Sequence, residues 1–412
     1  MKRSFWGQCV LLAACLVSCK GQGKKVDASS ADATLTLALR AGTYSAVIER
    51  CLPAFEAEQN VVCKVLELGE DDLHSLVAKD AVNAEGAYDF CMVDGSWMAE
   101  YTAKGVLANL SGLGYELDED IIPATKSICY YDGGLYLAPY YGNVTVLLYN
   151  RLMVKEAGYT PESIRSLDDM LAICRFQKKR HNLGFMYRGD TANNIVVDFL
   201  PILLSCGGWV VDNAMRPTVD TPEFHRAMEI YLELLESGRA AKKEDLIAAI
   251  ANKSGAMGIG WPGWYTPTRN SSMDYFALTG REKAGSPAFN ANIYGIWTIG
   301  IPANSGHKDY AVKLLAYLMS REVQKGTVPF GGVPCRYSSL QDADILQKFP
   351  QYEVVCRALE GGVYRPVMEK WSDFYTILGA EMKLIMAREK SIDEGLSAAQ
   401  AKLEAAIPST GK

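Results

Sequence analysis

The chain has 412 residues, of which 49% are hydrophobic, 22% charged and 10% aromatic, and its formal net charge is −6. This length predicts two to three domains, and the composition excludes a disordered chain, a collagen and a small disulfide-stabilised scaffold. The mild acidity argues against a nucleic-acid-binding protein, and a single apolar run at the N-terminus excludes a membrane protein with several spans.

The N-terminal residues have the pattern of an export signal. Lys2 and Arg3 precede an apolar stretch over residues 5–17, which ends in Leu-Val-Ser-Cys at Cys19. The stretch is too short to span a bilayer comfortably. Small residues before a cysteine resemble the lipobox of bacterial lipoproteins, in which the thiol takes a diacylglycerol; the alternative is an ordinary secretory signal. We expect residues 1–18 to be removed and residues 19–33 to form a tether that holds an exported protein, facing the periplasm or cell exterior, at a bacterial membrane.

Short apolar segments alternate with amphipathic ones from residue 35 onward. The pattern predicts strands at residues 35–39, 61–68 and 88–93, and helices at 47–55 and 72–82. This alternation indicates an α/β fold whose mostly parallel sheets are flanked by helices. Such sheets bind ligands at the carboxyl ends of their strands, so residues 40–44 and 94–97 are the first places to look for a site.

Three later helices carry clear start signals. Ser166 with Asp169 and Ser391 with Glu394 have the spacing of a capping box, and Thr221 precedes a proline at the first position of another helix. The glycine-rich run at residues 255–260 continues into Trp-Pro rather than into a helix. We therefore interpret it as a buried strand that enters a cleft rather than as a phosphate-binding loop.

The sequence contains no pattern typical of a metal or cofactor site. The four histidines are scattered, and no CxxC spacing is present, so we expect no metal and no cofactor. Eight cysteines follow Cys19, and most lie in apolar runs, which favours buried thiols over disulfides without excluding either.

Tryptophans cluster beside glycine, proline and serine, where an indole is less easily buried than on a helix. Flat aromatic faces suit the apolar face of a sugar ring, and planar polar side chains suit its hydroxyl groups. We expect at least two of the six tryptophans to line a cleft: Trp97, Trp209, Trp261, Trp264, Trp297 and Trp371. The candidate polar partners are Asp94, Asn143, Asp190, Asn193, Arg336 and Arg365.

Several segments, in order, resemble those of one protein family. The stretches DGGLYLAPYY at 132–141, VLLYN at 146–150, GIWTIGIP at 295–302 and GGVPCR at 331–336 are similar to interlobe and strand segments of extracellular solute-binding proteins. These proteins are the receptors of ATP-driven importers, and the resemblance is specifically to the maltose/trehalose-type sugar binders. It extends over residues 34–407, and the order of the motifs makes it specific where each alone is weak.

The resemblance implies a two-lobe periplasmic-binding-protein fold, in which each lobe is a mostly parallel sheet flanked by helices and a hinge of two or three crossing segments joins the lobes. We expect residues 34–140 and 300–334 in lobe 1, and residues 141–299 and 335–412 in lobe 2. The implied function is non-catalytic: a monomer captures a sugar between its lobes and delivers it to an ABC permease, with no nucleic acid involved.

The resemblance also assigns ligand-facing positions. The matching residues are Tyr44, Asp94, Asn143, Trp264, Trp297 and Arg365. The remaining candidates are Trp97, Tyr141, Asp190, Trp209, Trp261 and Arg336. Asn143 stands where many sugar-binding relatives have an aspartate, so their sugar preference cannot be transferred.

Two alternatives remain open. Arg336, Arg365 and Lys178 would also suit a glycerophosphate-type anion, and the same cleft could take a polyol. In another class, the chain could be a surface lipoprotein that processes glycans, although no pair of carboxylates is identifiable as a glycosidase centre.

Overall fold

The computed structural model describes residue 26 and residues 29–265, 271–277 and 292–407. The signal peptide, Cys19 and most of the tether predicted from the sequence lie outside these ranges. The strands are β1 Ala33–Arg40, β2 Val61–Leu68, β3 Phe90–Asp94, β4 Tyr130–Tyr131, β5 Gly134–Leu135, β6 Leu137–Tyr141, β7 Val146–Asn150, β8 Leu183–Tyr187, β9 Arg239–Ala240, β10 Gly255–Gly260, β11 Met273–Phe276 and β12 Trp297–Gly300. The α-helices are α1 Thr43–Glu49, α2 Leu52–Gln59, α3 Glu70–Asp80, α4 Met98–Ala103, α5 Pro123–Lys126, α6 Arg151–Glu156, α7 Leu167–Lys179, α8 Ala192–Ser205, α9 Pro222–Glu236, α10 Lys243–Ala251, α11 Lys308–Leu318, α12 Arg321–Thr327, α13 Tyr337–Leu340, α14 Ala343–Lys348, α15 Gln351–Glu360, α16 Trp371–Met386 and α17 Ile392–Ala406.

Each lobe is built on its own sheet. Within the described ranges, the first sheet has five strands in the order β2-β1-β3-β12-β6, and the second has five in the order β11-β7-β10-β8-β9. Strand β12 is antiparallel to both of its neighbours, as β7 is to both of its own. The other four strands of each sheet run in one direction, so the expected mostly parallel α/β sheets are confirmed.

Local sequence explains where these elements begin and end. Leu35, Leu37 and Leu39 of β1 are fully buried, as expected for a strand covered on both faces. The single helix expected at residues 47–55 is instead the pair α1 and α2. A new helix starts after Cys51, since Pro53 has no N–H to donate and is tolerated only in a first turn.

The three helix starts predicted from capping residues occur where expected. Ser166 and Ser391 each form a complete capping box, with α7 and α17. The Thr221 hydroxyl accepts a hydrogen bond of 3.3 Å from the Phe224 amide at the start of α9. These caps satisfy amide groups that a helix leaves without intrahelical partners.

The lobe boundary differs from the expected one near the C-terminus. The sequence prediction assigned residues 335–412 to lobe 2, but Leu340, Tyr352 and Leu359 are buried in the hydrophobic cluster that contains the strands of the first sheet. Helix α15 packs against α5 and α13, and it also contacts β11 of the second sheet. Only the later part, including α16 and α17, joins the core of the second sheet.

The chain passes between the lobes at adjacent segments that form the hinge. In the part that the structure describes, Val144 bridges Tyr294, and Ile293 bridges Val363, so three crossings lie side by side. Strand β12 begins at Trp297, three residues before the expected boundary at 300, because Trp297 already pairs with Asp94 in the first sheet.

The described residues also bear on the presence of disulfides, metal sites and membrane-spanning helices. The cysteines among the described residues are free thiols, listed here in chain order: Cys51, Cys63, Cys91, Cys129, Cys174, Cys206, Cys335 and Cys356. The described residues also hold no cluster of three or more histidine, cysteine or carboxylate side chains suited to a metal ion. Among the helices described, none has the length and apolarity needed to cross a membrane.

Candidate functional site

A cleft of about 740 Å³ lies between the lobes at the hinge. Its first wall contains Arg40 at the end of β1 and Asp94 at the end of β3, and its second contains Arg188 after β8 and Trp261 after β10. Asn143, in the first crossing, lies at its base. The carboxyl ends of parallel strands therefore face each other across the cleft, which is where such sheets place ligands.

The cleft brings together most of the residues singled out from the sequence. Those that line it are Tyr44, Asp94, Asn143, Asp190, Asn193, Trp261, Trp264, Trp297 and Arg365. Those that do not are Trp97, Tyr141, Lys178, Trp209, Arg336 and Trp371.

Asp94 and Arg365 form a buried ion pair at the base of the cleft. Both side chains are less than one-tenth exposed, and the Arg365 guanidinium donates to Asp94 Oδ1. Ser96 donates to the same oxygen from its amide at 2.9 Å and from its hydroxyl at 2.8 Å. Burial raises the pKa of Asp94, but the charge of Arg365 and these hydrogen bonds outweigh it and hold the pKa below its ordinary value. Asp94 is therefore a fixed anion whose charge is already neutralised.

Tyr44 places its ring and hydroxyl in the cleft. Its ring centroid lies 4.8 Å from that of Tyr141 and 5.5 Å from that of Trp297. The side-chain amide of Asn143 donates to the Tyr44 hydroxyl at 3.2 Å. Burial raises the pKa of Tyr44 to about 12, against the opposing charge of Arg40. The hydroxyl thus stays protonated and can donate to a ligand while it accepts from Asn143.

Arg188 is held rigidly on the second wall. Its Nε donates to Asp198 Oδ2 at 2.9 Å, its Nη2 donates to Asp198 Oδ1, and its Nη1 donates to Asn194 Oδ1 at 2.6 Å. Asp198 is buried, and the Arg188 guanidinium carbon lies 4.9 Å from the ring centroid of Trp264. The guanidinium is thus fixed by a bidentate ion pair, a side-chain amide and an indole.

A hydrogen bond between α8 and α3 joins the two walls across the cleft. Asn193, near the start of α8 in lobe 2, donates through Nδ2 to Oε1 of Glu70, the first residue of α3 in lobe 1, at 3.3 Å. Burial raises the pKa of Glu70, and the charge of Asp94 raises it further, while Arg365 and Arg40 oppose the shift. The lobes are therefore in a closed arrangement, because this contact requires both walls to meet.

Three residues of the cleft wall each hold a buried polar atom without a hydrogen-bond partner among the described residues. Among the described residues, Arg40 Nε, Asn143 Oδ1 and Asn193 Oδ1 are buried atoms that have no hydrogen-bond partner. A buried polar atom without a partner costs about 1–3 kcal/mol. A ligand with several hydroxyl groups can accept from the guanidinium and donate to both amide oxygens, so it fits this set.

Opposite charges balance along the wall. The described residues that line the cleft include five basic side chains, Arg40, Arg188, Lys242, Lys243 and Arg365, and five acidic ones, Glu70, Asp71, Asp94, Asp190 and Glu244. Asp198 lies behind the wall and neutralises Arg188. The charge balance favours a neutral ligand over an anion or a cation.

Two aromatic residues expected at the site lie just behind or beside it. Tyr141 is buried, and its hydroxyl donates to the Gly331 carbonyl at 2.6 Å, so it supports the ring of Tyr44 from behind. Trp97 lines a small adjoining cavity of about 80 Å³ together with His74, whose ring centroid is 4.8 Å from its own.

Three other residues lie away from the cleft. Arg336 is buried in lobe 1, where its Nη1 donates to Asp118 at 3.0 Å and to Asp120 at 2.9 Å. Trp209 packs against the core of lobe 2, and Lys178 is exposed in the last turn of α7. We therefore do not retain these three as ligand-binding candidates, since their side chains serve packing, a structural ion network or the solvated surface.

Sequence reasoning missed several charged residues of the cleft as individual candidates. Arg40 lies in the first loop singled out from the sequence, whereas Glu70, Arg188 and Lys243 were not considered. Glu70 and Arg188 each follow a strand by one or two residues, at Leu68 and Tyr187. The rule that ligands bind at carboxyl ends of strands would have found both if applied to β2 and β8.

The comparisons with known proteins decide the family. Residues 38–325 match the model of the bacterial extracellular solute-binding proteins. The chain belongs to this family. The match includes strands of both sheets and most of the cleft lining, although Arg365 lies beyond it.

Individual members of the solute-binding family differ in what their names say they bind. A probable amino-acid ABC transporter periplasmic-binding protein of Sinorhizobium fredii is 24% identical over 277 residues, which are 65% of this chain. The matched region spans 63% of that relative, just under two thirds of its length. A mannitol-binding protein of Pseudomonas aeruginosa is 24% identical over 313 residues, covering 71% of this chain and 70% of the relative.

A solved structure confirms the two-lobe fold. Maltose-bound MalE3 of T. maritima superimposes with a TM-score of 0.79 at 19% sequence identity. The superposition covers 91% of this chain and 100% of the other. The expected periplasmic-binding-protein architecture of this solute-binding protein is therefore confirmed.

Proposed function

We propose that this protein is the substrate-binding subunit of an ABC importer, and that it captures a neutral sugar or polyol between its lobes and delivers it to a membrane permease. The observation that carries the proposal is the composition of the cleft wall in this member of the solute-binding family. Its positive and negative charges balance, and it holds polar atoms that have no hydrogen-bond partner among the described residues. The protein acts as a monomer, since one chain supplies both walls of the cleft.

The ion pairs argue against the glycerophosphate-type alternative. Of the three cations that suggested an anion, Arg336 and Lys178 lie outside the cleft, and Arg365 is neutralised by Asp94. A phosphate would have to displace a buried carboxylate or remain poorly paired, and either costs free energy. A neutral solute with hydroxyl groups incurs neither of these free-energy costs.

A thermal-shift screen followed by calorimetry tests the proposal on the purified full chain. The panel contains maltose, D-mannitol, glycerol 3-phosphate and L-amino acids, each at low and high salt. We expect a neutral sugar or polyol to raise the melting temperature, with an affinity that salt changes little, because binding to the native state stabilises it by mass action. Selective binding of the phosphate or of an amino acid would contradict the proposal.

We also propose that Cys19 carries a lipid that holds the protein at a bacterial membrane. The short apolar stretch and the small residues that precede Cys19 support this assignment. Cells fed a labelled fatty acid should label the parent protein and the Cys15→Ala control but not Cys19→Ala. Equal labelling of Cys19→Ala would contradict it.

The receptor is non-catalytic in this proposal. The rival, a glycan-processing lipoprotein, requires two carboxyl groups set across a scissile bond. Asp94 is already committed to Arg365 and Ser96, and Asp190 accepts from Asn194 Nδ2 at 2.8 Å. We expect stoichiometric binding without release of the chromophore from nitrophenyl glycosides; turnover that copurifies with the chain would favour the rival.

A further inference from the structure

The junction between β8 and α8 forms one preorganised network. Asp190, Asn194 and Asp198 follow Arg188 within ten residues of chain, and all of them connect to it. Asp190 accepts from Asn194 at 2.8 Å, and Asn194 in turn accepts from Arg188 at 2.6 Å. The whole network therefore belongs to one strand-helix unit and does not depend on how far the lobes have closed.

The network leaves donors of Arg188 for a ligand. A guanidinium has five N–H groups, and three of them are used by Asp198 and Asn194. Two N–H groups thus have no partner among the described residues. Arg188 lines the cleft, so these donors are offered to oxygen atoms of a solute.

The Arg188 guanidinium also limits how much of the Trp264 indole can stack on a ligand. It lies 4.9 Å from the centroid of the indole, and the Lys243 ammonium lies 6.0 Å from it. The Gly260 backbone packs closely against the benzenoid part of the ring, since a Cβ there would approach Cε3 and Cζ3 to 3.0 Å. These contacts occupy part of the indole surface, and that part is not available for stacking a sugar ring.

We propose that Arg188 is a ligand-contacting residue that sets specificity in lobe 2, and that Asp198 is its positioning residue. The solute class that fits is a small polyol or monosaccharide whose hydroxyl oxygens accept from the guanidinium, rather than an oligosaccharide stacked on Trp264. This inference rests on the proposed capture of a neutral solute and narrows the solute class to small polyols and monosaccharides.

Calorimetry on the full chain tests the assignment with D-mannitol, D-glucose and maltose. We expect D-mannitol or D-glucose to bind most tightly, and Arg188→Lys to weaken that binding about tenfold or more, because a lysine loses the fork geometry. The matched control is Arg151→Lys, which alters an Arg–Asp pair of the same lobe outside the cleft. The control should bind as the parent does.

A double-variant cycle separates positioning from general stability. Asp198→Asn should weaken binding in the parent background but add little in the Arg188→Lys background, since its effect passes through Arg188. Equal weakening in both backgrounds would indicate a merely structural role and overturn the positioning assignment. Asn194→Ala, which buries no unpaired charge, replaces Arg188→Lys if that variant fails to fold, and it should weaken binding in the same direction.

The outcomes distinguish this inference from the proposed function. If no neutral solute binds the parent, the proposed function fails and the ligand contact of Arg188 fails with it. If D-mannitol or D-glucose binds the parent and Arg188→Lys equally, only the assignment of Arg188 is overturned. If maltose binds most tightly, the narrowing to small solutes is overturned while sugar capture stands.

Discussion

Trp297 lines the cleft, but its main role is to support neighbouring side chains rather than to contact the ligand directly. The side chain is buried, and its ring centroid lies 5.5 Å from those of Tyr44 and Trp97. The guanidinium carbon of Arg40 is 5.8 Å from the same ring. Trp297 therefore holds the first wall together, and its contribution to binding passes largely through the neighbours that it positions.

We expect Trp297→Ala to lower both stability and affinity. Loss of a buried tryptophan costs about 3–5 kcal/mol, because the cavity left behind collapses only in part. Urea unfolding measures the first effect, and calorimetry with D-mannitol measures the second. Trp209→Ala, a half-buried indole of lobe 2 outside the cleft, should leave affinity unchanged; a stable Trp297→Ala protein would contradict the supporting role.

Asp94 should make stability depend on acidity. Its pKa in the folded protein lies below the ordinary value of 3.8, so its contribution is complete above that pH and is lost as the pH falls below it. Asp94→Asn should therefore lower the free energy of unfolding near neutral pH and flatten its fall in acid. Urea unfolding at about pH 7 and about pH 3 measures both changes. An unchanged acid dependence would contradict this account.

Among the secondary-structure elements, the contribution of a helix cap to stability can be tested without altering the cleft. Ser166 accepts from the Asp169 amide at 3.3 Å, and its own amide donates to the Asp169 carboxylate at 3.0 Å. Ser166→Ala should cost about 1 kcal/mol of stability and leave solute affinity unchanged. Ser75→Ala, inside α3, is the control and should cost less than about 0.5 kcal/mol. Equal effects would show that the cap is not responsible.

Sequence patterns specified those elements whose causes are local. The strand expected at residues 61–68 is β2 with the same bounds, and the capping pairs mark the helices that they predicted. The break after Cys51 was missed because hydrophobic spacing continues across it while Pro53 interrupts the hydrogen bonding. The place of α15 was missed because it depends on which lobe covers its apolar face, and that is a long-range choice.

Part of the site was predictable because its residues lie at strand ends. Asp94 and Tyr44 lie in loops that the strand pattern identified, and the structure places both in the cleft. Arg336 is an arginine like Arg188, and it lies in a motif shared with the solute-binding family. Its charge is nevertheless neutralised by Asp118 and Asp120. Whether an arginine faces a ligand or an internal carboxylate depends on partners distant in sequence.

For the whole molecule, the contact between Glu70 and Asn193 sets how firmly the lobes close. It joins α3 to α8 across the cleft at 3.3 Å, whereas the crossings hold the lobes together only at the hinge. Opening the cleft must break this bond. A hydrogen bond to a charged group contributes about 1.5–3 kcal/mol, enough to shift the balance of open and closed forms by about tenfold to a hundredfold.

Asn193→Ala should therefore favour the open form in the absence of any solute. We expect its radius of gyration, measured by small-angle X-ray scattering, to exceed that of the parent. The control is Asn83→Ala, which removes a bond of 2.9 Å to Asp80 within lobe 1. Equal radii for parent and Asn193→Ala would mean that the contact does not hold the lobes closed.

The central position of β12 has a consequence for how the chain is made. This strand, near residue 300, lies between β3 and β6, which precede it by more than 150 residues. During synthesis the first sheet therefore has a gap in its middle until most of the polypeptide has emerged, and neither half can finish folding early. A chain whose folding is delayed for so long can still be threaded through a translocation pore, which suits a member of a family of extracellular proteins.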